Sequence, residues 1–400
     1  MGRGATRQYH TVGFFFLTQG FGLVVAVRDR ARYFFAFAGT ACTVLAAIGK
    51  ANALAQTRHQ NCFVGIGGEN TTAGLHRNLK MHLWLSLNFY LRRILPSNQT
   101  PLGALPARFR RERLLIVGCG DVGLRLAKVQ RHVRTFALTS QAAKKEELRR
   151  AGITPLVGNL DQATTLKRLA GLATRVVHMA PPPLHGLQDP RTLSLTRALM
   201  LRSPPTSLVY GSTSGVYGDC GGAWVTESRP THPTTSRAQR RVDAEQRLRY
   251  WSRVRGHAVR VSILRIPGIY ANDRVGGTPR ERLMRGTAVL QLPDDVFTNH
   301  IHANDLARAC QLALWRGKAQ RTYNINDDSQ MRMGDYFDMA AQLYGLPTPP
   351  RISRVQAQRE LTDMQMSFMR ESRRLVNARM KRELRLRLLY PQVQEGLRAP

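Results

Sequence analysis

The sequence predicts an α/β protein with a doubly wound parallel sheet and a small C-terminal substrate lobe. Three observations lead to this prediction. Strand-like and helix-like segments alternate from Arg113 onward, a glycine-rich turn joins the first strand to the first helix, and later strands follow at βαβ spacing. The apolar fraction of 43% is enough for a sizeable core. We expect residues 112–400 to form this domain, with the lobe and a basic helix at about 275–400.

The elements follow one another in order. Strands are predicted for RLLIVG, VRTFALTS, ITPLVGNL, TRVVHMA, TSLVYGSTS and VRVSILRI. Helices are predicted for DVGLRLAKVQ, QAAKKEELRRAG and residues 234–248. Because each strand is followed by a crossover segment, neighbouring strands are expected to run parallel with helices on both faces.

The first 111 residues have a different texture, with aromatic and glycine-rich runs that lack a clean helical or strand period. The most apolar run, Phe34–Gly49, is shorter than the ~20 residues that a membrane helix requires. Three interpretations stay open: a membrane or export segment, a poorly ordered extension, or a stretch that precedes the working protein because of a misplaced start. We favour the last two, with a Pro-rich and then basic linker at 95–113.

The chain is strongly basic, with 60 Lys and Arg against 26 Asp and Glu and a formal charge of +34. Such a charge attracts polyanions, but an arginine-rich solvated surface is the simpler interpretation, and we do not expect nucleic acid as a partner. The five cysteines are far apart and form no CxxC pair. They indicate neither a disulfide framework nor a metal site, and they fit a reducing, cytoplasmic location.

The stretch LLIVGCGDVG carries the most specific motif. Gly118 would allow a tight turn, Gly120 would let the backbone approach a pyrophosphate, and Gly123 would let the helix pack closely on the strand. Asp121 and Val122 open the helix, whose free N–H groups would face the phosphates. The sequence therefore predicts a dinucleotide-binding turn.

The end of the second strand bears on which nucleotide binds. It carries Ser140 and no carboxylate that would hold a ribose 2′-hydroxyl. Lys144 and Lys145 follow, and they are compatible with a 2′-phosphate or with an ordinary exposed helix start. We expect NADP or NAD, with NADP slightly favoured.

Four later motifs occur in order: Val209–Asp219, Ile263–Asp273, Asn299–Ala309 and Thr322–Asp328. Together with the glycine turn, they resemble the extended short-chain dehydrogenase/reductase family, in its NAD-dependent epimerase/dehydratase group. The resemblance spans about residues 113–390. It implies a Rossmann-type NAD(P)-binding oxidoreductase that acts on a polar, nucleotide-sugar-like small molecule. No membrane is expected as a partner of residues 112–400, and a homodimer is left open.

The resemblance also implies roles for single residues. Thr213 would hydrogen-bond a substrate oxygen, whereas His302 and Asp305 would be structural, with Asp305 capping a helix. Cofactor contacts are implied at the ends of the third, fourth and sixth strands: Asn159, Leu160, Ala180, Pro181 and Pro267.

The sequence departs from this family at the Tyr-x-x-x-Lys pair, whose tyrosine transfers the proton. Here Arg237 and Arg241 stand at these two positions, and a shift by one residue gives Ser236 and Arg240. Arg241 could still hold ribose or phosphate. Arg237 cannot exchange a proton at neutral pH, because a guanidinium keeps its proton.

Four other side chains are candidates for the missing proton-transfer group: Tyr217, Asp219, Cys220 and His185. Of these, Tyr217 is assigned to the catalytic set with Thr213 and Arg241, although a packed tyrosine of the strand-end motif is the simpler interpretation. The alternative function is a non-catalytic NAD(P)-binding redox sensor. Finally, residues 367–391 are predicted as a basic helix with Leu375, Met380, Leu384 and Leu388 as its apolar stripe.

Overall fold

The computed structural model describes residues 14–18, 23–29, 32–38, 111–254 and 259–399. The chain divides into two units, Met1–Arg92 and Arg93–Pro400. In the first unit, three strands form an antiparallel sheet in chain order: β1 (Phe14–Thr18), β2 (Leu23–Asp29) and β3 (Arg32–Ala38). The apolar run Phe34–Gly49 lies largely outside the described residues. The interpretation of residues 1–111 as an extension therefore stays a prediction.

The second unit contains the predicted alternation of strands and helices. Its strands are β4 (Arg113–Val117), β5 (Arg134–Thr139), β6 (Thr154–Val157), β7 (Arg175–His178), β8 (Ser207–Thr213), β9 (Trp224–Val225), β10 (Arg260–Ile266), β11 (Gly268–Tyr270), β12 (Val289–Leu290), β13 (Phe297–Thr298), β14 (His300–His302), β15 (Arg321–Asn324), β16 (Met331–Arg332), β17 (Arg351–Ile352) and β18 (Arg374–Leu375). Its α-helices are α1 (Asp121–Val129), α2 (Lys145–Arg150), α3 (Pro190–Leu199), α4 (Ser236–Val254), α5 (Arg280–Met284), α6 (Ala303–Arg316), α7 (Met333–Tyr344), α8 (Arg354–Glu360), α9 (Asp363–Met369) and α10 (Val393–Arg398).

Seven of these strands form one parallel sheet in the order β15-β10-β8-β7-β4-β5-β6. The six predicted strands are all present, and β15 adds a seventh where the sequence had indicated only a motif. The order reverses direction between β4 and β7, so the loops that follow these two strands diverge and leave a crevice at their carboxyl ends. This is the position at which doubly wound sheets bind ligands.

Helices cover both faces of the sheet. On one face, buried side chains of α1 and α6 pack on the strands, and on the other face those of α3 and α4 do so. The strands are buried on both sides, which explains their almost continuous apolar runs. A separate apolar cluster built from α5, α7, α9 and α10 forms the core of the C-terminal lobe.

The prediction of one basic helix over residues 367–391 is wrong. Helix α9 ends at Met369, β18 then pairs in parallel with β9, and a single π-helical turn spans Met380–Leu384. Arg385 adopts a left-handed φ of 55°, which ends that turn. Three residues of the predicted apolar stripe are nevertheless buried, and the fourth packs against the core: Leu375, Met380, Leu384 and Leu388.

The predicted helix cap at Asp305 is also wrong, although the residue is structural as expected. The cap of α6 is His302, whose Nδ1 accepts a hydrogen bond from the Asn304 N–H at 3.2 Å. The Asp305 carboxylate is fully buried and accepts hydrogen bonds from the backbone N–H groups of Leu389 and Tyr390 at 2.8–3.0 Å. It therefore fastens the end of the C-terminal lobe to the sheet domain.

Replacing Asp305 with Ala should lower the free energy of unfolding by about 2–4 kcal/mol, because it leaves two backbone donors without their acceptor. Urea denaturation measures this change. Asp335→Ala is the matched control, since the Asp335 side chain is 51% exposed, and it should change stability by less than about 0.5 kcal/mol. Equal effects of the two substitutions would contradict the anchoring role of Asp305.

Candidate functional site

The glycine turn lies at the carboxyl end of β4, next to the reversal of strand order. Gly118 has a φ of +82°, and a Cβ there would lie 2.4 Å from the Ala180 nitrogen, so only glycine fits. Gly123 packs against its strand, with a virtual Cβ 3.2 Å from Ile116 Cγ2. Gly120 is different, because a Cβ there would meet nothing within 4 Å.

The space at Gly120 faces the start of α1. Gly120 is the N-cap of this helix and has no side chain to satisfy the first N–H groups. The free N–H groups and the positive end of the helix dipole favour an anion at this place. The turn therefore has the open backbone and the unpaired donors that a pyrophosphate requires.

The side chains of Asp121 and Val122, which follow the turn, are held by contacts within the protein. The Asp121 carboxylate accepts hydrogen bonds from Arg125 Nε at 2.9 Å and from Arg274 Nη1 at 3.0 Å. Arg125 also donates to Asp273 at 2.5 Å. These ion pairs fix the loop after β11 against the first turn of α1, and Val122 is buried in the core.

The ends of β5 and β6 form the neighbouring part of the crevice. Ser140 is exposed and Lys144 follows on the surface, with no carboxylate at the end of β5. Asn159 Oδ1 accepts a hydrogen bond from the Asp161 N–H at 3.0 Å, which closes a turn after β6. Leu160 is 8% exposed and packs in the core. The end of β5 thus offers polar atoms and a cation but no carboxylate for a ribose, and the Asp161 carboxylate after β6 is paired with Arg191 at 2.7 Å.

At the end of β7, Ala180 donates its N–H to the Val117 carbonyl at 3.0 Å, which places this backbone beside Gly118. Pro181 is exposed at the start of the next loop. The ring of His178, the last residue of β7, is buried, and its Nε2 lies 3.0 Å from Thr192 Oγ1. Thr192 in turn donates to Asp189 at 2.7 Å, so His178 carries its proton on Nε2.

Thr213 is the last residue of β8 and lies at the same edge of the sheet. It is half-buried, and its hydroxyl oxygen accepts a hydrogen bond from the Gly215 N–H at 3.3 Å. Pro267 stands at the matching end of β10 and is also half-buried. Both predicted residues therefore lie at the carboxyl edge of the sheet, on the side of the glycine turn.

Tyr217 occupies a different place from these two. It is 1% exposed, and its hydroxyl donates to Asn324 Oδ1 at 2.7 Å. The Arg265 guanidinium covers its ring at 4.6 Å, and burial raises the pKa of the hydroxyl. The structure thus packs Tyr217 in a buried position, and its catalytic role stays a prediction.

The helix that carries the Tyr and Lys positions of the resemblance is α4. Arg241 Nη1 donates to the Gly211 carbonyl at 2.7 Å and to the Tyr210 hydroxyl at 3.1 Å, which brings its guanidinium to the end of β8. Arg237, one turn earlier, is exposed, and its guanidinium lies 5.4 Å from the centre of the Phe368 ring. Arg241 therefore reaches the carboxyl-terminal half of β8, whereas Arg237 lies against Phe368 of the C-terminal lobe.

The remaining candidates for proton transfer are held in other ways. Asp219 is exposed, and its Oδ1 accepts hydrogen bonds from the N–H groups of Gly221 and Ser372. Cys220 is buried, and burial raises the pKa of its thiol. His185 is exposed on the loop after β7.

One acidic residue that the sequence analysis missed lies near Thr213 at the end of β8. A Cβ at Gly215 would be 3.6 Å from Thr213 Oγ1 and 3.9 Å from Glu371 Oε2, so both side chains border the same small space. Glu371 is more than 150 residues further along the chain and stands in no recognisable motif. No sequence signal marks it, because only the packing of the C-terminal lobe brings it to β8.

Solved structures with the same fold include a functionally unknown conserved protein from Silicibacter pomeroyi, which is 29% identical to this chain with a TM-score of 0.60. The match covers 72% of this chain and 96% of that one. The UDP-glucose 4-epimerase of Thermotoga maritima with UDP-glucose is 17% identical over 71% of this chain and 96% of its own, with a TM-score of 0.58. The UDP-glucuronic acid 4-epimerase from Bacillus cereus in complex with NAD is 15% identical over 72% and 96%, with a TM-score of 0.57.

The chain has the fold of the extended short-chain dehydrogenase/reductases. Its structural neighbours include nucleotide-sugar epimerases of that fold, in agreement with the resemblance carried by the sequence motifs. No protein-family model and no curated protein matches the sequence. Within the described part of the chain, no helix is long and apolar enough to cross a membrane.

The buried histidines of this domain predict a pH dependence of stability. Burial lowers the pKa of His178 to about 3 and that of His300 to about 4, from an ordinary 6.5. Below pH 6.5 the unfolded chain binds protons that the folded one does not, so the free energy of unfolding should fall as the pH drops from 6.5 towards 4. Each group contributes a slope of about 1.4 kcal/mol per pH unit.

His178→Gln should reduce the slope of the free energy of unfolding against pH by about 1.4 kcal/mol per pH unit, which is the contribution of one proton. Urea denaturation between pH 6.5 and 4 measures this slope. His185→Gln is the control, because His185 is exposed and the slope of the wild type should persist. A slope that His178→Gln leaves unchanged would show that His178 titrates normally in the folded protein.

Proposed function

We propose that residues 112–400 form an NAD(P)-binding oxidoreductase of the epimerase/dehydratase type that acts on a polar, nucleotide-sugar-like molecule. The observation that carries this proposal is the turn at Gly118 and Gly120, which combines an open backbone with the free N–H groups of α1 at the reversal of strand order. That combination suits a dinucleotide pyrophosphate. The matches to solved epimerases cover nearly the whole of those proteins and 71–72% of this chain, which supports residues 112–400 as the working domain.

The cofactor we propose is NADP or NAD, with NADP slightly favoured. One neighbour was solved in complex with NAD. In this chain, the end of β5 has the exposed Ser140 and Lys144 where a carboxylate would hold the 2′-hydroxyl of NAD. Asn159 and the backbone at Ala180 and Pro181 would line the rest of the bound nucleotide.

At the reacting end, bound nicotinamide would supply hydride transfer. Thr213 would hydrogen-bond a substrate oxygen, and Pro267 would border the nicotinamide side of the crevice. Arg241 is fixed to Gly211 and Tyr210 by one of its nitrogens, and its other N–H groups have no partner among the described residues. Those N–H groups would hold the ribose or a phosphate, which is the task of the family's lysine. The usual tyrosine shuttle is absent in this proposal.

A redox sensor without catalysis is the second candidate function. It is favoured by α4, which offers Arg237 at the tyrosine position, and by Tyr217, which is buried. Formation of reduced nicotinamide from bound NAD or NADP on addition of UDP-glucose would exclude the sensor. Cofactor binding without any hydride transfer to or from nucleotide sugars would favour it. In either case we propose a cytoplasmic protein and leave a homodimer open.

Gly120→Ala tests the cofactor site with little risk to the fold. The Gly120 backbone is extended with a φ of −97°, which alanine adopts, and its Cβ would meet no protein atom within 4 Å. The methyl group would instead occupy the approach of the pyrophosphate, so the dissociation constants of NADP(H) and NAD(H) should rise about tenfold or more. Titration calorimetry or ligand-induced thermal stabilisation measures them.

Gly118→Ala is the contrasting variant. Its left-handed φ and the 2.4 Å approach to Ala180 mean that it should lower the melting temperature as well. A wild type that neither cofactor stabilises would refute the proposed function. A Gly120→Ala variant that binds the cofactors as tightly as the wild type does would show that they do not bind at this turn.

The preference for NADP predicts a second change. Replacing Lys144 and Lys145 together with Ala should weaken NADP binding by about fivefold and leave NAD binding unchanged, because only the former has a 2′-phosphate. Lys167→Ala, on an exposed part of the surface, serves as the control for loss of charge. Equal losses for both cofactors would argue against a 2′-phosphate site at these lysines.

A further inference from the structure

The first turns of α4 carry no tyrosine. The side chains around Thr213, at the end of β8, therefore have to supply any group that exchanges a proton with a substrate. At the first turn of α4, the exposed Arg237 lies against Phe368 of α9. The segment that follows α9 therefore packs over the beginning of α4. It brings Glu371 and Arg373 to the end of β8.

Glu371 is held in place from two sides. Its Oε1 accepts a hydrogen bond from Thr234 Oγ1 at 2.6 Å, just before α4, and its Oε2 accepts one from Arg373 Nη1 at 2.7 Å. Arg373 is itself fixed by the Gly218 carbonyl at 2.8 Å. The Glu371 and Arg373 side chains are 10% and 12% exposed. The carboxylate is thus positioned by Thr234 before α4 and by Arg373, which is itself tied to the loop after β8.

The neighbouring main chain is fixed as well. The Ser372 N–H donates to Asp219 Oδ1 at 2.7 Å, and Ser372 Oγ accepts a hydrogen bond from the Phe297 N–H at 3.0 Å. These bonds tie the segment to the loop after β8 and to the lobe at β13. Glu371 consequently sits on a supported backbone, which is what a group that must meet a substrate oxygen requires.

Glu371 also has the chemistry that its neighbours lack. Each carboxylate oxygen has two lone pairs, and Thr234 and Arg373 use one on each. Glu371 can therefore accept a further hydrogen bond or a proton, which neither Arg237 nor Arg241 can do. It shares the space in front of Gly215 with Thr213 Oγ1, the group proposed to bind the substrate oxygen.

We infer that Glu371 replaces the missing tyrosine as the group that takes the proton from the substrate hydroxyl. This inference rests on the proposed oxidoreductase function. When a substrate alcohol is oxidised, its O–H bond breaks and the proton passes to Glu371 Oε2. Its C–H bond breaks with the electron pair leaving as hydride to the oxidised nicotinamide, and the carbonyl forms. In the reverse reduction, Glu371 returns the proton to the new alkoxide.

The first test needs no substrate. Oxidised nicotinamide carries a positive charge that the reduced ring lacks, so a carboxylate at the reacting centre favours the oxidised form. Glu371→Gln removes one unit of negative charge and should weaken binding of NAD⁺ or NADP⁺ relative to the reduced cofactor by about threefold or more. Glu371→Asp should keep the ratio of the wild type. Glu360→Gln, the same change on the exposed surface of α8, should also keep it.

The ratio is measured by calorimetry on the full chain, with melting curves to confirm that each variant is folded. A ratio that Glu371→Gln leaves at the wild-type value overturns the inference and leaves the proposed function standing. A wild type that binds neither cofactor overturns both.

The second readout is chemical. With UDP-glucose as the probe and oxidised cofactor present, Glu371→Gln should form reduced nicotinamide at least about a hundredfold more slowly than the wild type. Glu371→Asp should retain part of the rate. A rate in Glu371→Gln within about threefold of the wild type overturns the inference, since general acid–base catalysis contributes more than that. Where the wild type does not turn over the probe, the affinity ratio decides.

Discussion

The ion pair between Glu245 and Arg265 is the constraint around which the site is arranged. Their side chains are 4–5% exposed, and Arg265 Nη2 donates to Glu245 Oε2 at 2.8 Å. Ser212 adds a hydrogen bond to the same carboxylate at 2.6 Å. The pair therefore joins α4 to the ends of β8 and β10. Because an unpaired charge buried in this place would cost several kcal/mol, the three elements are held in one arrangement.

That arrangement extends through Tyr217 to the C-terminal lobe. The Arg265 guanidinium lies over the Tyr217 ring, and the Tyr217 hydroxyl donates to Asn324 of β15. Asn324 then donates to the carbonyls of Val225 and Val376, on either side of the β9–β18 pairing. A continuous set of polar contacts thus leads from the sheet edge to the segment that carries Glu371.

The two ends of the proposed site rest on different kinds of evidence. The phosphate end depends on backbone geometry: the left-handed Gly118, the open Gly120 and the helix start that follows them. The reacting end depends on side chains drawn from distant segments, namely Thr213, Arg241 and Glu371. A dinucleotide-binding turn can be retained while the catalytic side chains change, because the turn requires only glycines and the start of a helix.

The sequence by itself determined the doubly wound sheet, the glycine turn and the lack of a tyrosine at the expected position of α4, because these follow from local patterns of strand, turn and helix. The helical periodicity of residues 367–391 predicted a single helix, which is wrong. Tertiary contacts override it, because β18 pairs with β9 and the Asp305 carboxylate accepts hydrogen bonds from the N–H groups of Leu389 and Tyr390. The sequence also could not separate a catalytic from a packed Tyr217, since burial is a property of the assembled core. Only the tertiary structure placed Glu371 beside Thr213, because a contact across more than 150 residues leaves no spacing that a sequence pattern records.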